Sequence, residues 1–380
     1  MRQYKSILFY GFVIFAMFFG SGNLVLPLQI GFLSGEHWVL AFLGLLLSGV
    51  ILPFLGLLVI KLHKGDYNSF FGEAGIVARL CLPFFILSLM GPFGVAPRCI
   101  TVAHGGVEYL APNISLAGFS VFFSIVTFFL CLKDKMMVKI LGKYLSPIKL
   151  ITLTVLIAVG VMQAPNTLHE TKALESFSTG LFTAYQTMDL FAAFFFSAML
   201  FKQIQDFLPK DASDREVLAF SVKSGVIGFS ILAAVYLGLV YLSSHYAFLL
   251  EGVSPKLMLP AIAMHTMGSA ATYFIAAAMF FSCLATAVAL NNIYARYICD
   301  ILKLEERRFP AVLLLTIMTT FAMSLLDFSG ITAFLVPVLE VSYPGLIALT
   351  LMNIFFRGAS KIKKYIFWII TVLMIMSFII

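Results

Sequence analysis

The sequence predicts an all-α polytopic membrane protein of about eleven transmembrane helices, arranged as a 5+5 inverted repeat with interrupted first and sixth helices. Three observations predict it. The first is composition: of 380 residues, 61% are hydrophobic and 11% charged, with a mean hydropathy of +1.02, where soluble domains carry ~25% charge. The second is the length of the apolar runs, since a bilayer is crossed by ~20 apolar residues in a helix. The strands of a membrane barrel would instead show ~10-residue alternating segments. The third is the distribution of basic residues. Of the 25 Lys and Arg, Arg98 and Lys149 lie within spans, Lys172 and Lys256 lie in loops on one side, and the other 21 lie on the opposite side. Cytoplasmic loops carry the Lys/Arg excess, so the N-terminus is expected in the cytoplasm of a cell (inner) membrane protein.

The expected spans are 7–33, 38–60, 80–104, 113–132, 144–163, 177–201, 217–243, 266–298, 309–326, 330–356 and 365–380. The first lies in an uncharged run from Ser6 to Gly35, too long for a signal-peptide core and lacking a small-residue cleavage site. Its middle, Gly20-Ser21-Gly22-Asn23, is a poor helix, because each interior glycine costs roughly 1 kcal/mol relative to alanine. The glycines alone fit close packing of a neighbouring helix. With Asn23, and Pro27 one turn on, the stretch reads as a true interruption. Unpaired backbone is tolerated within lipid only where it faces protein, a cavity or a polar solute.

The third span carries Gly91-Pro92-Phe93-Gly94-Val95-Ala96-Pro97 ahead of Arg98. That arginine either lines a pathway or pairs with a carbonyl. The sixth span contains Tyr185-Gln186-Thr187-Met188-Asp189 amid phenylalanines and alanines. A carboxylate at the centre of a membrane helix costs about 2.5–3.5 kcal/mol on insertion scales. Asp189 is therefore read as shaping a polar cavity, against the alternative of bonding neighbouring backbone. The eighth span carries Ser282-Cys283-Leu284-Ala285-Thr286. The Thr286 hydroxyl either bonds back to its own helix or serves a hard cation, which favours oxygen donors. In the tenth span Glu340 reads as a gate acid or a partner for Arg98. His104 and His265 read as interfacial.

Five spans start at the first interrupted helix and five at the sixth. An odd number per unit inverts the second unit, as in transporters that bind solute at paired broken helices. The units are 1–163 and 164–356, with 357–380 an additional C-terminal span. Other classes are disfavoured. The +7 net charge sits in short loops and not in a nucleic-acid patch. The five cysteines fall within or beside apolar spans, and an odd number so placed argues against a disulfide framework. A channel would need a filter-like repeat or charged ring, and an enzyme an intramembrane metal cluster or a Ser/His/Asp constellation; the sequence offers none. No obligate protein partner is evident; the expected partners are the lipid bilayer and a small solute.

The chain resembles the bacterial branched-chain amino acid:cation symporters, within the amino acid–polyamine–organocation group that has the sodium-coupled leucine-transporter fold. The residues that carry the resemblance are Met17 to Leu24, Gly91-Pro92 with Pro97-Arg98, Gly142-Lys143 with Ser146-Pro147, Tyr185 to Asp189, and Cys283-Leu284 before Thr286. The resemblance implies import of Leu, Ile or Val by cation symport with alternating access. The substrate carboxylate would meet backbone N–H groups of Ser21, Gly22 and Asn23, as anions do at helix N-termini. The ammonium would meet carbonyls near Phe18, Tyr185 and Thr187, with Gln186 and Asp189 completing the pocket. A sodium ion, the coupling ion, would lie on carbonyls of Ala16, Phe19 and Ser282 and on the Thr286 hydroxyl; no other cofactor is implied. Three departures stand out. Ala285 replaces the first of two adjacent hydroxyl residues, which leaves proton coupling open. Gln186 stands where asparagine is usual, which opens other neutral or aromatic amino acids as substrates. The chain ends after eleven spans where the family generally has twelve, and transport is expected to survive because the ten-helix core is complete.

Overall fold

In the computed structural model, which describes residues 2–132, 146–209, 213–356, 358 and 360–379, the described residues fold as helices joined by short turns. Gly142 and Lys143 lie outside the described residues. The first apolar run forms α1 (Arg2–Phe18) and α2 (Ser21–Ser34), separated at Phe19 and Gly20. There follow α3 (Trp38–Leu46), α4 (Leu52–Leu62), α5 (Tyr67–Gly72), α6 (Ile76–Met90), α7 (Val95–Leu110), α8 (Leu116–Leu132) and α9 (Ser146–Met162). The sixth apolar run forms α10 (Ala173–Thr183), a 3₁₀ turn over Ala184–Thr187, and α11 (Asp189–Phe207). The remainder is α12 (Asp214–His245), α13 (Ala247–Leu250), α14 (Met258–Ile301), α15 (Phe309–Ser324), α16 (Asp327–Phe355) and α17 (Ser360–Ile379).

These helices overlap each of the eleven predicted intervals. By length and composition alone, five helical runs among the described residues can cross a membrane. Bent by 42° at the break, α10 and α11 make a sixth if taken as one crossing. Eleven crossings therefore stays the reading of the sequence.

Three predicted spans differ in detail. The third is two helices: Gly91 to Gly94 form a tight turn in which a β-carbon at Gly94 would fall 2.2 Å from the Leu89 carbonyl oxygen. The eighth begins earlier than predicted, at Met258, and turns at Gly268, whose φ of +79° suits glycine. Residues 258–265, expected as loop, form the helix ahead of that turn. The sixth breaks where Met188 adopts a left-handed φ of +56°, so the 3₁₀ turn ends and α11 begins in one residue.

The broken helices sit at the centre of the packing. Both α1 and α2 lie against α12, α7 lies along α14, and α3 packs closely on α10. At that last interface a β-carbon at Gly180 would fall 1.9 Å from the Ala41 carbonyl oxygen. Small residues there let backbones touch, a common way for membrane helices to associate.

The outer side of the topology predicted from basic residues shows an unexpected economy of charge. Lys256, read as a loop residue, is buried and pairs with Glu108 and Asp327, each at 2.9 Å. His104 is also buried, not interfacial, with Nδ1 3.2 Å from Glu108. These residues tie α7 to the start of α16.

Candidate functional site

The break in the first helix is organised by Asn23. Its Oδ1 accepts from the Gly20 N–H at 2.8 Å, and the same N–H lies 3.0 Å from the Phe18 carbonyl. Gly20 has no side chain to return a cap. In the first turn of α2, the N–H groups of Ser21, Gly22 and Asn23 thus have no intrahelical acceptor, and the positive end of the helix dipole points the same way. The Asn23 amide then reaches the other broken helix. Its Nδ2 donates to Asp189 at 2.8 Å and to the Tyr236 hydroxyl. Tyr236 in turn donates to the same carboxylate oxygen at 3.0 Å.

The hydrogens of this triangle are fully assigned. The two Nδ2 hydrogens go to Asp189 and Tyr236, and the one Tyr236 hydroxyl hydrogen goes to Asp189. Asp189 is 2% exposed and opens α11, where a carboxylate complements the helix dipole. It therefore bridges the N-termini of two half-helices that are 166 residues apart in sequence. The Thr187 hydroxyl donates to the Ala184 carbonyl at 2.8 Å and accepts from the Asp189 N–H at 3.4 Å.

Gly22 brings the α2 backbone close to the second break. A β-carbon there would lie 3.5 Å from Thr187 Cα and 3.6 Å from the Gln186 carbonyl oxygen. The structure thus brings together Ser21, Gly22, Asn23, Gln186, Thr187 and Asp189. The other two, Phe18 and Tyr185, were expected to act through their carbonyls, and their side chains pack on aromatic rings. Phe18 packs its ring on Phe229 at 4.9 Å, and Tyr185 stacks on Tyr343 at 4.5 Å. Arg98, fully buried, donates from Nη2 to the Gln186 carbonyl. It contacts the sixth-helix break and not Glu340, which lies half-buried on α16.

Of the residues expected to hold sodium, Phe19, Ser282 and Thr286 lie close together. A β-carbon at Gly20 would lie 3.5 Å from Thr286 Cγ2 and 3.8 Å from its hydroxyl oxygen, so the first break faces Thr286 on α14. The Thr286 hydroxyl donates to the Ser282 carbonyl at 3.1 Å. Ala16 lies one turn back on α1 and is partly exposed. Into this cleft α9 places Lys149, 6% exposed. Its Nζ donates to the Phe19 carbonyl at 2.8 Å and to Ser282 Oγ at 3.2 Å, and lies 4.7 Å from the centre of the Phe19 ring. While Lys149 carries its proton, these oxygens do not fit a sodium ion, since a fixed positive charge already holds one of the predicted carbonyls.

Sequence reasoning gave no role to Lys149 or Tyr236. Lys149 had a signal, a lysine inside an apolar span two residues after Pro147. Tyr236 had none, being one of 14 tyrosines.

Comparison with known proteins follows the same lines. Residues 3–380 match the family described as "Branched-chain amino acid transport protein". The chain is 31% identical over 360 residues to the branched-chain amino acid permease BrnQ of Escherichia coli K12, covering 92% of this chain and 80% of that protein. It is 28% identical over 362 residues to the branched-chain amino acid permease BraB of Bacillus subtilis, with the same coverage of both chains. Among solved structures, it superposes on Mhp1, a nucleobase-cation-symport-1 family transporter with bromovinylhydantoin bound, with a TM-score of 0.62 at 12% identity, covering 97% of this chain and 91% of that one. A manganese transporter of Eremococcus coleocola gives a TM-score of 0.61 at 14% identity, covering 98% and 87%. The fold is that of polytopic transporters in the leucine-transporter class, and the relatives are permeases, transporters and not enzymes. The chain belongs to the branched-chain amino acid transport protein family.

Proposed function

We propose that this protein is a secondary active transporter that imports Leu, Ile and Val across the cell membrane by cation symport with alternating access, its N-terminus in the cytoplasm. One observation carries the reading: the N-terminus of α2, with three N–H groups left without helix partners, meets the sixth-helix break through Asn23 and Asp189. The substrate carboxylate sits on the N–H groups of Ser21, Gly22 and Asn23. The ammonium faces carbonyls near Phe18, Tyr185 and Thr187. Units 1–163 and 164–356 are the inverted halves that move against one another, with 357–380 additional.

The coupling cation acts between α1, α9 and α14. In the first reading it is sodium on the carbonyls of Ala16, Phe19 and Ser282 and the Thr286 hydroxyl, supported by the approach of Gly20 to Thr286. A second reading is favoured by Lys149, whose Nζ sits on the Phe19 carbonyl. Here the coupling cation is a proton carried by that amine. Sodium enters only if Lys149 releases its proton, so the two readings exclude one another at any instant.

The test is counterflow in proteoliposomes. Labelled leucine enters vesicles preloaded with leucine, isoleucine, valine, or an aromatic or small neutral amino acid, and is trans-stimulated by each of the first three. Uptake that ignores the internal pool contradicts a carrier. Trans-stimulation only by aromatic or small neutral amino acids contradicts the substrate.

A further inference from the structure

We propose that Arg98 is a substrate-binding residue, its guanidinium pairing with the carboxylate of the transported amino acid beside the N–H groups of α2. This rests on the amino-acid reading of the site and adds to it a side-chain cation.

Arg98 follows the turn between α6 and α7 and has no exposed surface. A guanidinium carries five N–H donors and cannot be neutralised at ordinary pH. Here Nη2 reaches the Gln186 carbonyl, while Nε and Nη1 are buried with no acceptor. Buried polar groups are almost always paired, and an uncompensated buried charge is strongly destabilising. An acceptor is therefore missing from the protein's own inventory. Asp189 does not supply it: neither of its oxygens lies within hydrogen-bond distance of Nε or Nη1, and its Oδ2 is engaged by Asn23 and Tyr236.

A neighbour is orphaned as well. Gln186 Oε1 is buried without a partner, and Gln186 is the residue whose carbonyl Arg98 holds. The unmet needs are thus an acceptor for a guanidinium and a donor for an amide oxygen. An α-amino acid answers them together: its carboxylate accepts from Arg98, and its ammonium, one carbon away, donates to Gln186 Oε1.

Position agrees with chemistry. Gly22 approaches the Gln186 carbonyl oxygen that Arg98 holds, at 3.6 Å for a β-carbon, and the thiol of the next residue, Cys99, donates to Ser21 Oγ at 3.4 Å. The cation and the open N-terminus of α2 thus meet at the Gln186 carbonyl. A guanidinium matches a planar carboxylate better than a spherical anion.

The test measures displacement of labelled leucine from purified protein by leucine and by leucinamide, which keeps the ammonium and side chain but has no carboxylate. Wild type is expected to prefer leucine strongly. In Arg98→Gln, leucine affinity falls roughly 10- to 100-fold, the range of a lost hydrogen bond to a charged group, and leucinamide affinity is unchanged, so the preference collapses. Arg98→Lys is expected to fall between. An unchanged preference in Arg98→Gln, or equal loss of both ligands, overturns the assignment. If neither variant folds, phenylglyoxal modification of Arg98 in wild type decides: leucine must slow it and leucinamide must not, and equal effects overturn the proposal. Wild-type protein that binds no branched-chain amino acid at all overturns the transport reading, and this inference with it.

Discussion

Substituting Asp189 separates the two things a buried carboxylate can do. Asp189→Leu removes the acceptor for both Asn23 Nδ2 and the Tyr236 hydroxyl, and each buried orphan costs about 1–3 kcal/mol. Asp189→Asn keeps an acceptor oxygen and loses only the charge. Leucine uptake normalised to membrane abundance is expected to fall in both, further in the leucine variant, and by more than abundance falls. Degraded Asp189→Leu beside normal transport by Asp189→Asn would reduce Asp189 to a structural tie. Gly22 gives a graded test beside it. A methyl fits at ordinary contact distance from Thr187 and Gln186, so Gly22→Ala retains leucine binding, weakened. Gly22→Leu reaches into the second break and abolishes binding while the protein still inserts; normal leucine binding by an inserted Gly22→Leu protein would remove the carboxylate cradle. Asn23 and Asp189 were legible because polar groups inside apolar spans are expensive and conspicuous. Their pairing was not, because residues so far apart in sequence meet only through tertiary packing. Lys149 was visible as a residue, but hydropathy says nothing of which carbonyl an amine will reach.

The first break was readable from residues that resist helix, Gly20, Gly22 and Asn23, and the sixth span stood out through Asp189, a carboxylate inside an apolar run. The geometry within each was not. Nothing in the sequence marks Met188 as the residue that adopts φ +56°, since methionine ordinarily favours helix and pays roughly 1–2 kcal/mol in the left-handed region. That conformation aims α11 at Asn23, so it belongs to the element. Met188→Gly, which removes the β-carbon, is expected to preserve uptake. Met188→Val adds branching where φ is positive and is expected to lower thermal stability by about 1–2 kcal/mol and to reduce uptake. A thermal-unfolding series on the purified variants, with and without leucine, checks this; a valine variant as stable as wild type contradicts it. The turn between α6 and α7 was signalled by Gly91, Pro92 and Gly94, but a single hydropathy window merged two helices there.

At the scale of the molecule, composition, run length and the asymmetry of basic residues were enough for a polytopic helical protein, and the spacing of the breaks was enough to suggest inverted halves. What escaped was Lys149, because its amine meets the Phe19 carbonyl and the Ser282 hydroxyl only in the folded structure. That cleft also carries the central claim, that leucine movement is driven by a cation acting between α1, α9 and α14. Under sodium coupling, Thr286→Ala removes one neutral ligand, which costs about 1–3 kcal/mol, and apparent leucine affinity falls at limiting sodium and recovers at high sodium by reciprocal linkage. Under proton coupling, Thr286→Ala changes little and Lys149→Gln abolishes concentrative uptake while sparing exchange. The most direct measurement is leucine accumulation in proteoliposomes under a sodium gradient alone, a proton gradient alone, or neither, for wild type and these two variants. The account predicts accumulation above the external concentration under one of the two gradients, none without a gradient, and loss of that dependence in the corresponding variant. Leucine that merely equilibrates, indifferent to both gradients, would contradict it.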